Sequence, residues 1–304
     1  MAHMDTAPLD AAAIAAGLGT LEVPRTIRCH GTVGSTMDLA RELLVGLDDS
    51  QLPALVVADE QTAGRGRMGR PWVAPAGSAL LASLALRPRW LPPAQGVALV
   101  WMAAVALCEA VEEVTPLRPA LKWPNDLLVA ARGGADAGPV PELPHHQAPQ
   151  APAVHDPRAP APGQAWAKAA GILLEVSLGG DGIEAAVIGC GVNVSAAPPP
   201  AATRYPATSL AEAAGAPVSR LALLRALLRR ADAWHARLRA GERRALFTAW
   251  RAPLVTIGQR GRVETAPGPL EGPGGDVDGD GALVVRNLAG RLQRIAAGDV
   301  GLAP

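Results

Sequence analysis

Residues 97–108 read Val-Ala-Leu-Val-Trp-Met-Ala-Ala-Val-Ala-Leu-Cys, an apolar run without a charge. Such a run is too long for a buried strand and too short for the ~20 residues of a membrane span, which leaves a buried helix. The helix is predicted over 93–114, with Glu109, Glu112 and Glu113 facing solvent near its end. A helix that is apolar all round has to be enclosed by other elements. Short apolar runs predict strands at 26–29, 54–58 and 78–86, with a loop at 31–34. Strand character returns over 121–129, and the runs from residue 127 through 168–176 and 183–194 are predicted as successive antiparallel strands. Helices are predicted within 7–20, from an N-cap at Ser35 through residue 44, over 219–239, and near 242–250.

From residue 254 the pattern changes to short β runs parted by Gly and Asp, such as Ala282-Leu283-Val284-Val285 after Asp278-Gly279-Asp280-Gly281. The fold class is therefore α+β: a mixed, largely antiparallel sheet flanked by helices over 1–252, then a small β-barrel over 253–304. Eight of the 24 residues from 139 to 162 are proline. That composition cannot bury enough apolar surface to order itself, so a flexible insertion is expected at about 131–166. His145, His146 and His155 fall within it, without the supporting contacts a metal site needs.

Lys+Arg and Asp+Glu both number 28, and the zero net charge excludes a general nucleic-acid binder. Any bound anion must be held by a local cluster. Cys29, Cys108 and Cys190 form no Cys-x-x-Cys pair, which favours a reducing compartment. No basic start followed by an apolar core marks a signal peptide, so a cytoplasmic protein with no membrane partner is expected.

The local cluster is Gly64-Arg65-Gly66-Arg67-Met68-Gly69-Arg70-Pro71-Trp72. Its glycines satisfy the dinucleotide-binding spacing after a predicted strand. That site also needs a helix opening at the last glycine and a carboxylate about 20 residues on. Here Pro71, Trp72 and Pro75 intervene, and residues 84–89 hold no carboxylate. A solvated Arg/Gly turn is the plain alternative. Against it, three arginines alternate with glycines that permit close backbone approach, and Trp72 adds a flat apolar face beside the charge. That combination suits a nucleotide.

Residues 60–72, Glu60-Gln61-Thr62-Ala63-Gly64 through Trp72, resemble the signature loop of the biotin protein ligase family. Other blocks of that family stand in order around it: Gly34-Ser35-Thr36, Lys122-Trp123-Pro124-Asn125-Asp126, Lys168-Ala169-Ala170-Gly171 and Gly191-Val192-Asn193. The resemblance implies a class II synthetase-like biotin/lipoate ligase domain with an SH3-like C-terminal barrel. It implies an enzyme that activates biotin with ATP and Mg²⁺ as biotinyl-5'-AMP, then transfers it to a lysine of biotin carboxyl carrier protein. About 34 residues precede Ser35, too few for the winged helix-turn-helix of some relatives. No repressor activity and no nucleic-acid partner are therefore expected, in a monomer or weak homodimer.

The resemblance also implies roles. Ser35, Thr36, Met37 and Gln61 meet the ring end of biotin, with Met37 standing where many relatives have Asn. Gly64, Arg65, Gly66 and Arg67 close over the biotin carboxylate and α-phosphate, and Gly171 allows close approach. Arg70, Trp72, Lys122 and Asn193 join Arg65 and Arg67 on the ATP side. Lys168 is the central catalytic cation, with Arg67 beside it. Asn125 and Asp126 offer hard oxygens for Mg²⁺; the plain alternative is an Asn-Asp turn with Trp123 in the core. A lipoate or octanoate ligase shares the fold without this loop, and a non-catalytic nucleotide-binding module is the rival from another class.

Overall fold

The computed structural model describes residues 7–131, 165–180, 182–203, 205–265, 268–286, 290–296 and 298–302; of the insertion expected at about 131–166, residues 132–164 lie outside the described residues, and Trp166 already belongs to a strand. α1 (Ala11–Ala15) and β1 (Thr26–Val33) lead to α2 (Thr36–Gly46), and β2 (Ala54–Gln61) and β3 (Ala79–Leu86) bracket the glycine–arginine loop. α3 (Ala98–Val114) precedes β4 (Ala120–Lys122), β5 (Asp126–Ala130), β6 (Trp166–Gly179) and β7 (Gly182–Asn193). Then come α4 (Leu210–Ala214), α5 (Arg220–Arg239) and α6 (Arg243–Arg251). Last are β8 (Arg260–Thr265), β9 (Gly268–Val277), β10 (Leu283–Arg286), β11 (Leu292–Ile295) and β12 (Asp299–Leu302).

Seven strands form one sheet in the order β1-β2-β3-β7-β6-β5-β4. β1 and β2 run parallel, and every other neighbouring pair runs antiparallel. Alternation along the strands assigns the two faces. Leu55 and Val57 of β2 join Leu80, Leu84 and Leu86 of β3 in the large core under α3 and α5, while Ala54 and Val56 pack with Met37, Ala40 and Leu44 of α2.

α3 occupies the centre of the large core. Residues Pro93–Val114 are long and apolar enough to cross a membrane by composition, yet 72% of the most apolar stretch is buried inside the protein. Trp101 stacks on Trp250 of α6 at 5.0 Å between centroids. Full burial of side chains such as Leu99, Met102 and Leu107 contributes roughly 1.5–3 kcal/mol each.

Three local readings change. The helix expected within 7–20 covers Ala11–Ala15, because Gly17 and Gly19 take positive φ (66° and 69°). The loop expected at 31–34 begins later, since Thr32 and Val33 pair with Glu60 and Gln61. Strand 121–129 is two strands, β4 and β5, joined at Lys122↔Asp126 across a turn that contains Pro124, which cannot donate to a ladder.

β8–β12 form a second, antiparallel sheet in the order β11-β10-β9-β8-β12, consistent with the expected SH3-like unit. It is joined to the larger sheet through buried groups: Trp123 donates its indole N–H to the Gly281 carbonyl (2.8 Å) and its backbone N–H to Thr256 Oγ1 (2.9 Å). Trp123 is therefore a core residue.

Candidate active site

On the α2 side of the sheet, β6 and β7 carry glycine where side chains would otherwise stand. Gly171 pairs with Gly191, and Leu173 with Gly189. A cavity of about 220 Å³ opens over this strip. Ser35, Thr36, Met37, Gln61, Arg65, Gly66, Arg67, Arg70, Trp72, Asn125, Asp126, Lys168, Gly171 and Asn193 line it, so the structure brings these sequence-predicted residues together. Gly64 and Lys122 lie just behind the lining.

The ring end is built from the first turn of α2. Ser35 caps the helix by accepting from the Met37 N–H (3.3 Å). Thr36 donates its backbone N–H and its hydroxyl to Gln61 Oε1 (2.7 and 3.0 Å), and its hydroxyl also lies 2.8 Å from Ser83 Oγ. Met37 covers Gly189: a Cβ there would stand 2.8 Å from the Met37 sulfur. The position is apolar, so no polar ligand contact comes from the Met37 side chain.

The loop is a small closed hairpin. Trp72 N–H bonds the Gly64 carbonyl (2.9 Å), Gly66 N–H bonds the Arg70 carbonyl (2.7 Å), and Arg65 bridges Pro71. Gly64 permits this closure, since a Cβ would meet the Trp72 carbonyl at 2.6 Å. Met68 and Gly69 turn the tip with positive φ (57° and 69°). Trp72 then lies flat on the glycine strip, 2.5 Å from where a Gly191 Cβ would be and 3.2 Å from one on Gly171. Its indole N–H is buried and has no hydrogen-bond partner among the described residues.

The cations differ in their partners. Lys168 Nζ is 2.7 Å from Asp126 Oδ1, and Lys122 Nζ is 3.2 Å from Oδ2. Burial alone would raise the Asp126 pKa; the charges of Lys168 and then Lys122 outweigh it and hold the carboxyl below its usual range. Lys122 also donates to the Val300 carbonyl (3.0 Å) and sits 4.2 Å from the centre of the Tyr205 ring. Arg67 donates to the Gly298 carbonyl (3.1 Å) and approaches Asn125 Oδ1 (3.4 Å). Arg65 pairs its guanidinium with Asp38 of α2.

The pair Asn125 and Asp126 does not fit a magnesium site. Both Asp126 oxygens face ammonium groups, and Asn125 donates Nδ2 to the Ile172 carbonyl at 2.5 Å. Among the described residues no group of three or more His, Cys, Asp or Glu is placed to hold a metal ion.

Sequence reasoning passed over several lining or bordering groups. Ser83 is the polar residue of an otherwise apolar, fully buried β3. Gly189 and Gly191 show as a period-two pair in β7. Tyr205, the single tyrosine, comes from the proline cluster after β7 together with Ala202 and Thr203. Cys190 borders the cavity too, but burial pushes its thiol up to about 12, which leaves it inert near neutral pH. Asn193 donates Nδ2 to the Thr208 carbonyl (3.1 Å), leaving a buried Oδ1 without a partner among the described residues.

Residues 32–193 match the sequence model of the biotin/lipoate A/B protein ligase family. The chain is 34% identical to the biotin–[acetyl-CoA-carboxylase] ligase of Paracoccus denitrificans, across 88% of this chain and 96% of that one. It is 28% identical to the bifunctional ligase/repressor BirA of Bacillus subtilis, across 94% and 77%. Among solved structures, the biotin protein ligase of Aquifex aeolicus in complex with biotin and ATP shares the fold, with a TM-score of 0.66 at 22% identity over 91% of this chain and 98% of that one.

Proposed function

This chain belongs to the biotin/lipoate A/B protein ligase family, as a biotin protein ligase, and from that membership we propose that its cavity joins biotin to ATP and passes the biotinyl group to a lysine of a biotin carboxyl carrier protein. In the first step a biotin carboxylate oxygen attacks the α-phosphorus, and pyrophosphate leaves with the electron pair of the broken P–O bond. In the second, the carrier lysine amine attacks the acyl carbon, loses a proton, and AMP departs. Neither step requires a nucleophile from the protein; holding two anions together and stabilising charge at phosphorus lowers the barrier.

The observation that carries this reading is the position of Lys168, an ammonium at the wall of the cavity beside the glycine strip, 3.3 Å from where a Gly171 Cβ would be. It is placed to bridge the biotin carboxylate and an α-phosphate oxygen. Ser35, Thr36, Gln61 and Ser83 supply donors and acceptors for the ureido ring, and the strip lets the ligand approach the backbone. Arg67 and Arg70 meet phosphate, with Lys122 behind them and Trp72 beside the base. Asn193 lines the cavity, and its Oδ1, left over by the Thr208 bond, is an acceptor suited to an exocyclic amine on adenine. Magnesium arrives on the triphosphate of ATP, Asn125 and Asp126 being otherwise engaged. A balanced net charge supports action on a protein rather than on nucleic acid. Three free cysteines agree with a cytoplasmic setting.

Pyrophosphate release that needs biotin and ATP together tests the first step. Transfer of labelled biotin, and not lipoate, to a carrier domain tests the second. Release that ignores biotin, or label that follows lipoate, would overturn the reading.

A further inference from the structure

The resemblance assigns Arg65 to the substrate anions, whereas its guanidinium is bound by another residue. Nη1 and Nη2 of Arg65 bond Oδ2 and Oδ1 of Asp38 at 2.9 and 2.7 Å, the bidentate geometry in which arginine and carboxylate interact most strongly. Asp38 stands in the first turn of α2, one residue past Met37, so it is fixed to the same rigid turn as the ring-end hydrogen-bond network. Arg41 holds Asp38 from the other side and reaches Glu175 of β6 at 3.1 Å. Arg65, in turn, is the residue whose backbone bridges Pro71 to close the loop.

The loop is thus attached by side chains on two sides of the cavity. Arg65 ties it to α2, and Arg67 ties it to Asn125 and the Gly298 carbonyl. Resting on the ligase reading for what the loop covers, we propose that Asp38 is a positioning residue that straps the 64–72 loop across the cavity through Arg65. Arg65 then retains the acyl-adenylate by keeping the loop in place, not by touching phosphate. The strap is graded for this purpose. Its side chains are 34% and 40% exposed, so solvent screens the pair and the loop can still open for the carrier lysine. A fully buried pair would hold the cover shut through the second step.

Trypsin tests the strap without any substrate, because it cuts after Arg65 and Arg67 only when the loop leaves the cavity, the bond after Arg70 being protected by Pro71. Asp38→Asn is expected to speed that cleavage about threefold to fivefold, the range of an exposed bidentate pair. Arg65→Gln should give the same rise at the remaining site, Arg67. The double variant should be no faster than Asp38→Asn, since both single changes remove the same Arg65–Asp38 pair. In the intact enzyme, Asp38→Asn should raise biotin label on bystander lysines by a similar factor. Unchanged cleavage in Asp38→Asn, or additive effects in the double variant, would overturn the strap. A parent enzyme without biotin-dependent pyrophosphate release would instead overturn the ligase reading, and the proteolysis would still judge the loop.

Discussion

At the scale of single residues, one buried carboxylate balances two ammonium groups. Asp126 lies between Lys168 and Lys122, and the surplus positive charge borders the cavity even though the chain as a whole is neutral. Lys168→Ala is expected to slow adenylate formation by about 10²–10³, the range for losing one preorganised charge-stabilising group. ATP binding should weaken far less; pyrophosphate release compared with equilibrium nucleotide binding reads the difference. The Asp126 pKa is depressed in the folded protein, so its contribution to stability is full above the ordinary carboxylate range and is lost as pH falls toward the folded value. The stability gap between the parent and Asp126→Asn, followed by urea unfolding, should be constant above about pH 5 and narrow below about pH 4. Lys168, Arg67 and Asn193 were legible in the sequence because each sits inside a contiguous block. Asp38 was not, because it pairs with a residue 27 positions away and no spacing rule joins them. The pairing of Asp126 with Lys168 and Lys122 was out of reach for a similar reason: a carboxylate in sequence does not reveal which cations will surround it.

At the scale of elements, the site depends on two strands giving up their side chains. The Gly171↔Gly191 pair leaves a flat place on the sheet, and the Trp72 indole rests on it. Gly191→Ala would put a methyl group 2.5 Å from the ring, so the ring must move. The expected cost is about 1–3 kcal/mol, as for other overpacked sites, measured by chemical denaturation. Trp72→Ala in the same chain should recover most of it; a cost that persists without the ring would show that backbone strain is responsible. The helices and strands around this strip were largely readable. Ser35 at its cap and the β5–β6–β7 order followed from side-chain chemistry and apolar runs. Of the glycine strip only Gly171 was readable, through its block; Gly189 and Gly191 were not, since period-two glycines acquire meaning only when the two faces of the sheet are known. The β4–β5 turn stood only as the plain alternative for Asn125 and Asp126, because a short run around Pro124 reads as one strand until Lys122 and Asp126 are seen as partners.

At the scale of the whole molecule, the two sheets share more than the Trp123 packing. β12 is the outer strand of its sheet, bonded to β8 on one side. The carbonyls of Gly298, the residue before it, and of Val300, on it, receive Arg67 and Lys122. Side-chain cations from the ligase domain therefore occupy an edge that would otherwise be open to another chain. Contacts of this kind are thermodynamically reciprocal. Arg67→Gly is expected to speed amide hydrogen exchange in β12 and β8 by a few-fold, although residue 67 belongs to neither strand. Exchange there that matches the parent would show that the contact carries no coupling. The converse also holds: weakening the small sheet anywhere along its length should raise the biotin concentration needed for half-maximal rate, so heat tolerance of the last 45 or so residues becomes a determinant of substrate affinity.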